Sequence, residues 1–257
     1  MSRRAAFSLL EVIVVTALGA FLAIITGVSL RNASKIFTSV SGRDSAQRNV
    51  LKARRHLEND LILASLGTGR FAIEQAPASL GGGGGADGDA VNFLSAVNAT
   101  TQEVAILDDG SGSPYYFMNV YYYITVPLNH DALFGITCTG GSEAGGYDFN
   151  CPHKVLLRGT SDQNPAYDVT NSSSQDILIN PLSALLTRPT GFPKAANLFT
   201  VAANLLSFRV TRQNQELIVD LKAVAIQDAR TRASIGTTSF RTSGYTITQR
   251  FSIFPKN

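Results

Sequence analysis

A hydrolytic activity would need one of the three histidines as its base. His56 stands among Arg54, Arg55 and Glu58, on what reads as a solvated helical face, while His130 and His153 flank the two cysteines, Cys138 and Cys151. No Gly-x-Ser-x-Gly elbow, His-Glu-x-x-His pair or Ser-x-x-Lys context accompanies them. A metal site would recruit Cys151-Pro152-His153 together with His130, a spacing that matches no zinc pattern. Asp87-Gly88-Asp89 and Asp108-Asp109 offer carboxylates to calcium, but neither keeps the alternating-oxygen register with a closing Glu. Turn chemistry accounts for both. Gly81 to Gly85 are followed by no Lys-Ser/Thr and no helix, so they read as a loop and not as a phosphate cradle. Asn171-Ser172-Ser173 is a formal glycosylation acceptor and carries no chemistry of its own. The chain is expected to be no enzyme, with no catalytic residue, no cofactor and no metal.

The carboxylate that asks for an explanation is Glu11. Behind it, Val12 to Leu30 form nineteen positions without a charge, bracketed by Arg3 and Arg4 before and Arg31 after. A helix rising 1.5 Å per residue covers with that length the bilayer's hydrocarbon core of about 30 Å. A carboxylate at the start of such a span costs a few kcal/mol unless it is paired. If the chain is cut between Ala6 and Phe7, the new α-amine lies four residues, about one helical turn, before Glu11. Two such helices docked with a stagger of one subunit would let each charge neutralise its neighbour's. The segment then serves assembly as well as anchoring.

Arg3-Arg4-Ala5-Ala6 followed by Phe7-Ser8-Leu9-Leu10-Glu11-Val12-Ile13-Val14-Val15 resembles the type III signal of type IV prepilins and type II secretion pseudopilins. Ala6 stands where that family usually has Gly. The resemblance implies cleavage by a prepilin peptidase after Ala6, an N-methylated Phe7, and Glu11 as the charge that sets subunit register. It implies other minor and major pilin subunits and an inner-membrane assembly platform as partners. The implied location is the bacterial inner membrane, single-pass, with the N-terminus in the cytoplasm and the C-terminal domain exported, and then a filament tip; the arginines before the span agree. In an exported domain Cys138 and Cys151 read as a disulfide closing a short loop, worth about 3 kcal/mol in the chain-entropy model.

The elements that must carry these residues follow from periodicity. Residues 1–6 read as leader, 7–30 as the membrane half of a helix, 31–66 as its amphipathic half and 67–257 as a β-rich globular domain. Between Arg31 and Leu66 there is no Pro, and Phe37, Val40, Val50, Leu57, Leu61 and Ala64 recur as one helical face, closed by a cap at Gly67-Thr68-Gly69. Strands are expected at Ala90–Leu94, Glu103–Leu107, Asn119–Val126, Val155–Arg158, Phe199–Val210, Gln215–Ile226 and Tyr245–Phe254. Tyr121, Tyr122 and Tyr123 read as strand packing with hydroxyls at the rim. The expected fold class is therefore α+β, a long N-terminal helix packed on an antiparallel sheet, and the resemblance implies that it is pilin-like. The order from Leu156-Leu157-Arg158 through Leu206-Ser207-Phe208-Arg209-Val210 to Leu217-Ile218-Val219-Asp220-Leu221 is also similar to large W-type minor pilins and J-type minor pseudopilins.

The resemblance implies a non-enzymatic subunit that primes or caps a type IV pilus, with a type II secretion pseudopilin as the alternative. Two other classes compete. An ordinary exported protein would have a shorter apolar run with a small-residue cleavage site behind it. A tip adhesin or DNA-binding subunit remains compatible with assembly; a net charge of +3 supplies no strong basic field, so exposed arginines clustered on one face of the β domain would be its mark.

Overall fold

The computed structural model describes residues 9–77, 88–97, 103–105, 114–134, 153–162, 178, 181–225 and 246–255. Helix α1 runs unbroken over Leu9–Leu61, 53 residues, or about 80 Å at the α-helical rise. Nothing in that stretch removes a backbone donor, because it contains no proline. Its buried residues are Ala46, Val50, Ala53, Leu57 and Leu61, spaced four, three, four and four apart, which makes one stripe on the last four turns. Two expected members of that stripe are corrected. Phe37 and Val40 are 74% and 61% exposed. Phe37 precedes Val50 by thirteen residues, roughly three and a half helical turns, and so points to the opposite side.

The helix also ends earlier than the expected 66. Leu63 N–H donates to Asp60 O and Ala64 N–H to Leu61 O, at 3.1 and 3.2 Å, tightening the exit after Leu61. Gly69, at φ 76°, belongs to the next turn, closed by Arg70 N–H on Gly67 O, and does not cap α1.

The helix packs on an antiparallel sheet. Its strands are β1 (Phe71–Glu74), β2 (Ala90–Ser95), β3 (Met118–Thr125), β4 (Lys154–Asp162), β5 (Lys194–Ala195), β6 (Leu198–Gln213), β7 (Glu216–Val224) and β8 (Thr246–Ile253). The hydrogen-bonded order is β1-β2-β3-β4-β6-β7-β8, with β5 also on β6. Two short helices, α2 (His130–Phe134) and α3 (Leu182–Leu185), connect them. Together these elements make an α+β architecture, one long helix on an antiparallel sheet. The strand expected at Glu103–Leu107 shrinks, in its described part, to a single bridge between Val97 and Val104.

Alternation assigns the two faces. Val120, Tyr122 and Ile124 of β3 join Val91, Phe93, Leu156, Val210 and Val219 in the core under α1. Tyr121 and Tyr123 turn to the other side, with Val155 and Leu157, under Leu182 and Leu186 of the segment around α3. Tyr123 Oη donates to Thr187 O at 2.7 Å and ties that segment down.

Two glycines are required by close approach. Gly88 has φ +86°, and a Cβ there would come 2.2 Å from Val210 O. Its carbonyl accepts Val210 N–H at 2.7 Å, joining the start of β2 to β6 across the sheet. Gly159 faces Tyr121 in register, and its missing side chain is the space the Tyr121 ring fills.

Strand β6 pairs with β4 through its first half and with β7 through its second, with register shifts on both sides. The shift between Leu205 and Ser207 leaves Leu206 without a cross-strand partner on β7. The Leu206 carbonyl instead accepts the wholly buried Lys154 Nζ at 3.0 Å, so a lysine takes the place of a ladder bond at the bulge.

Candidate assembly surface and helix–sheet clasp

Two features of α1 stand out: an N-terminal half with no sheet beneath it, and a C-terminal end clasped to the sheet by charge. From Leu9 to Leu30 every residue is exposed, Leu9 by 81%, Phe21 by 61% and Leu30 by 66% among them. This helix is long and apolar enough to cross a membrane, the one such helix among the described residues. Its polar side chains are suited to that setting. Thr16 Oγ1 donates to Val12 O at 2.9 Å and Thr26 Oγ1 to Leu22 O at 2.8 Å, which hides both hydroxyls against the helix. Glu11 lies exposed in the first turn, where the helix N-terminus favours a negative charge.

At the other end Asp60, on the last turn of α1, meets Arg158 of β4 and Tyr122 of β3. Arg158 Nε and Tyr122 Oη both donate to Asp60 Oδ2, each at 2.5 Å. The Tyr122 hydroxyl is therefore not at the rim, as expected from the sequence: the side chain is fully buried, because its register partners Val91 and Arg158 hold it under the helix. Burial, and next the Asp60 charge, push its pKa well above the ordinary value of 10.0, so it remains a neutral donor. The Arg158 guanidinium also lies over the Phe199 ring at 5.5 Å. One carboxylate thus gathers two strands onto the helix end.

His56 belongs to the same cluster and corrects the expectation of a solvated face. Its ring meets Phe199 edge-on at 5.6 Å and is half-buried. Burial lowers its pKa from the ordinary 6.5; Asp60 opposes this, while Lys52, Arg158 and Arg55 reinforce it. With the folded value below 6.5, the unfolded chain takes up the proton first as pH falls. The protein should therefore lose stability from pH 6.5 downward, and His56→Phe should flatten the slope between about pH 6.5 and 5, above the carboxylate range. Urea midpoints measured across that window would show it; an unchanged slope would mean His56 does not titrate differently on folding.

His130 and His153 do come together, with ring centroids 5.5 Å apart. His130 Nδ1 lies 3.0 Å from Pro127 O, which places its proton on that nitrogen. Among the described residues no group of three or more His, Cys, Asp or Glu is disposed to hold a metal. Cys138 and Cys151 lie outside the described residues, as do Ala6, Phe7, Asp87, Asp108, Asp109, Gly81–Gly85 and Asn171–Ser173. Asp89 accepts Ala76 N–H at 2.5 Å, a structural use of the carboxylate. On the outer face of β6, β7 and β8, Arg209, Asp220 and Arg250 are in register, with Arg250 Nε 3.7 Å from Asp220 Oδ1. Opposite charges thus alternate across these three strands.

The clasp escaped sequence reading. Asp60 and Arg158 are separated by almost a hundred residues, and nothing local in either stretch marks them as partners. Comparison of the chain with protein-family models, with curated proteins and with solved structures finds no match.

Proposed function

We propose that the chain is a non-enzymatic filament subunit of the type IV pilin and pseudopilin kind, anchored in the inner membrane by α1 before assembly and placed at or near the filament tip. The observation that carries this reading is α1 itself. A single helix leaves its apolar N-terminal half exposed with Glu11 at its head and docks only its last turns on an antiparallel sheet. That division suits a protomer whose apolar half sits in lipid until identical or related helices replace the lipid. The motif at Ala6, Phe7 and Glu11 supports the same reading, with prepilin peptidase, other minor and major pilins and the assembly platform as partners. The size of the sheet domain supports a low-abundance minor subunit, priming or capping assembly of a pilus or of a secretion pseudopilus.

Mass spectrometry of membrane-extracted protein tests the reading. The N-terminal peptide should begin with methylated Phe7. A mature start beyond Leu30 would remove α1's apolar half and overturn the proposal.

A further inference from the structure

Beside the docked half of α1 runs a groove whose chemistry the assembly reading does not use. Two adjoining hollows of about 660 and 310 Å³ share Pro193, Lys194 and Thr200 along one wall. The helix forms the other wall with Lys52, His56 and Asn59. Lys52 and Lys194 are both exposed and both line the smaller hollow. The carboxylate that lines the larger one, Asp60, already accepts Arg158 and Tyr122 on Oδ2. Arg158 lines the same hollow and balances that charge, so among the lining residues Lys52 and Lys194 leave an excess of two positive charges. The Phe199 ring supplies an apolar floor, with Pro193 beside it. Burial keeps His56 neutral at neutral pH, so the ring adds aromatic surface and no charge.

We propose that this groove binds an extended acidic peptide, with carboxylates on Lys52 and Lys194 and apolar side chains against Phe199 and Pro193. The argument is one of charge complementarity in a concave site of the size that ligands occupy. Double-stranded DNA is read by convex elements that enter its grooves, about 12 and 6 Å wide, and a cleft presents none. The inference stands whether or not the chain is a filament subunit, because the groove lies wholly within the helix–sheet body.

The test uses the full chain in uncharged detergent micelles and an eight-residue fluorescein-labelled peptide alternating Glu and Leu, with empty micelles as the blank. Fluorescence anisotropy should show saturable binding that weakens with added salt. The double charge reversal Lys52→Glu/Lys194→Glu should weaken it about tenfold, while Arg209→Glu on the outer sheet face leaves it unchanged. Both lysines are exposed, so the variant should keep the wild-type unfolding midpoint, measured in parallel. The proposal is overturned if the reversed variant binds as wild type does, or if a Lys-Leu peptide binds equally well. Absence of saturable binding at about 1 mM, an affinity of roughly 4 kcal/mol, also overturns it. So does a short DNA duplex that displaces the peptide at lower concentration, which would make the site one for nucleic acid.

Discussion

Glu11→Val should leave a protein that inserts at least as well as wild type, is still processed before Phe7, and fails to join its assembly. The carboxylate costs a few kcal/mol at the edge of the hydrocarbon, so an anchor alone would be better without it. Glu11 lies exposed in the first turn of α1, far from the stripe that docks on the sheet. Under the proposed function its partner is the α-amine of a neighbouring subunit's Phe7. Removing one member of such a pair in low dielectric leaves the other charge uncompensated, at roughly 3–5 kcal/mol. That is more than about a hundredfold in association. Co-purification of the variant with other minor subunits, together with filament number or secretion, reads the effect. Wild-type values for both would show that this carboxylate does not set register.

The second large effect should come from Asp60→Ala. The side chains of Arg158 and Asp60 are only 15% and 22% exposed, so loss of the carboxylate strands a guanidinium and the buried Tyr122 hydroxyl together. Breaking a buried pair costs roughly 3–5 kcal/mol; residual water access at the helix end argues for about 3 kcal/mol. That is a large part of the 5–15 kcal/mol typical of a domain. Tyr122→Phe, which removes one donor and keeps the ring, should cost about 1 kcal/mol. The double variant Asp60→Ala/Arg158→Met should be more stable than Asp60→Ala alone, because no charge is then left behind. Urea unfolding of the detergent-solubilised chain measures all three. An Asp60→Ala midpoint equal to wild type would mean that the apolar stripe of α1 holds the helix without the clasp.

These two carboxylates differ in how they can be found. Glu11 is legible because its surroundings are local: one charge at the head of nineteen uncharged residues, in a motif whose parts lie within nine positions of one another. Most strands are legible for the same reason. β-branched and aromatic content marks β2, β3 and β8, and near period-two alternation marks β7, each within a few residues of its ends, since both are properties of the local chain. Strand β1 is too short, at four residues, to show a period.

What the sequence alone determines here is the long apolar helix, its amphipathic continuation and an antiparallel partner rich in β-branched and aromatic residues, all set by local spacing. What only the tertiary structure decides is where that helix stops docking and what secures it. Phe37 and Val40 match the apolar composition of the buried stripe, yet full burial on α1 begins only at Ala46, and 3.6-residue geometry turns Phe37 away from that stripe. Asp60, Tyr122, Arg158 and Phe199 come from one helix and three strands, and no spacing in the chain predicts that they converge. Register does it: pairing Tyr122 with Arg158 across β3 and β4, and Arg158 with Phe199 across β4 and β6, stacks the three on one face beneath the end of α1. Slipping either pair by one residue would turn them to the opposite face.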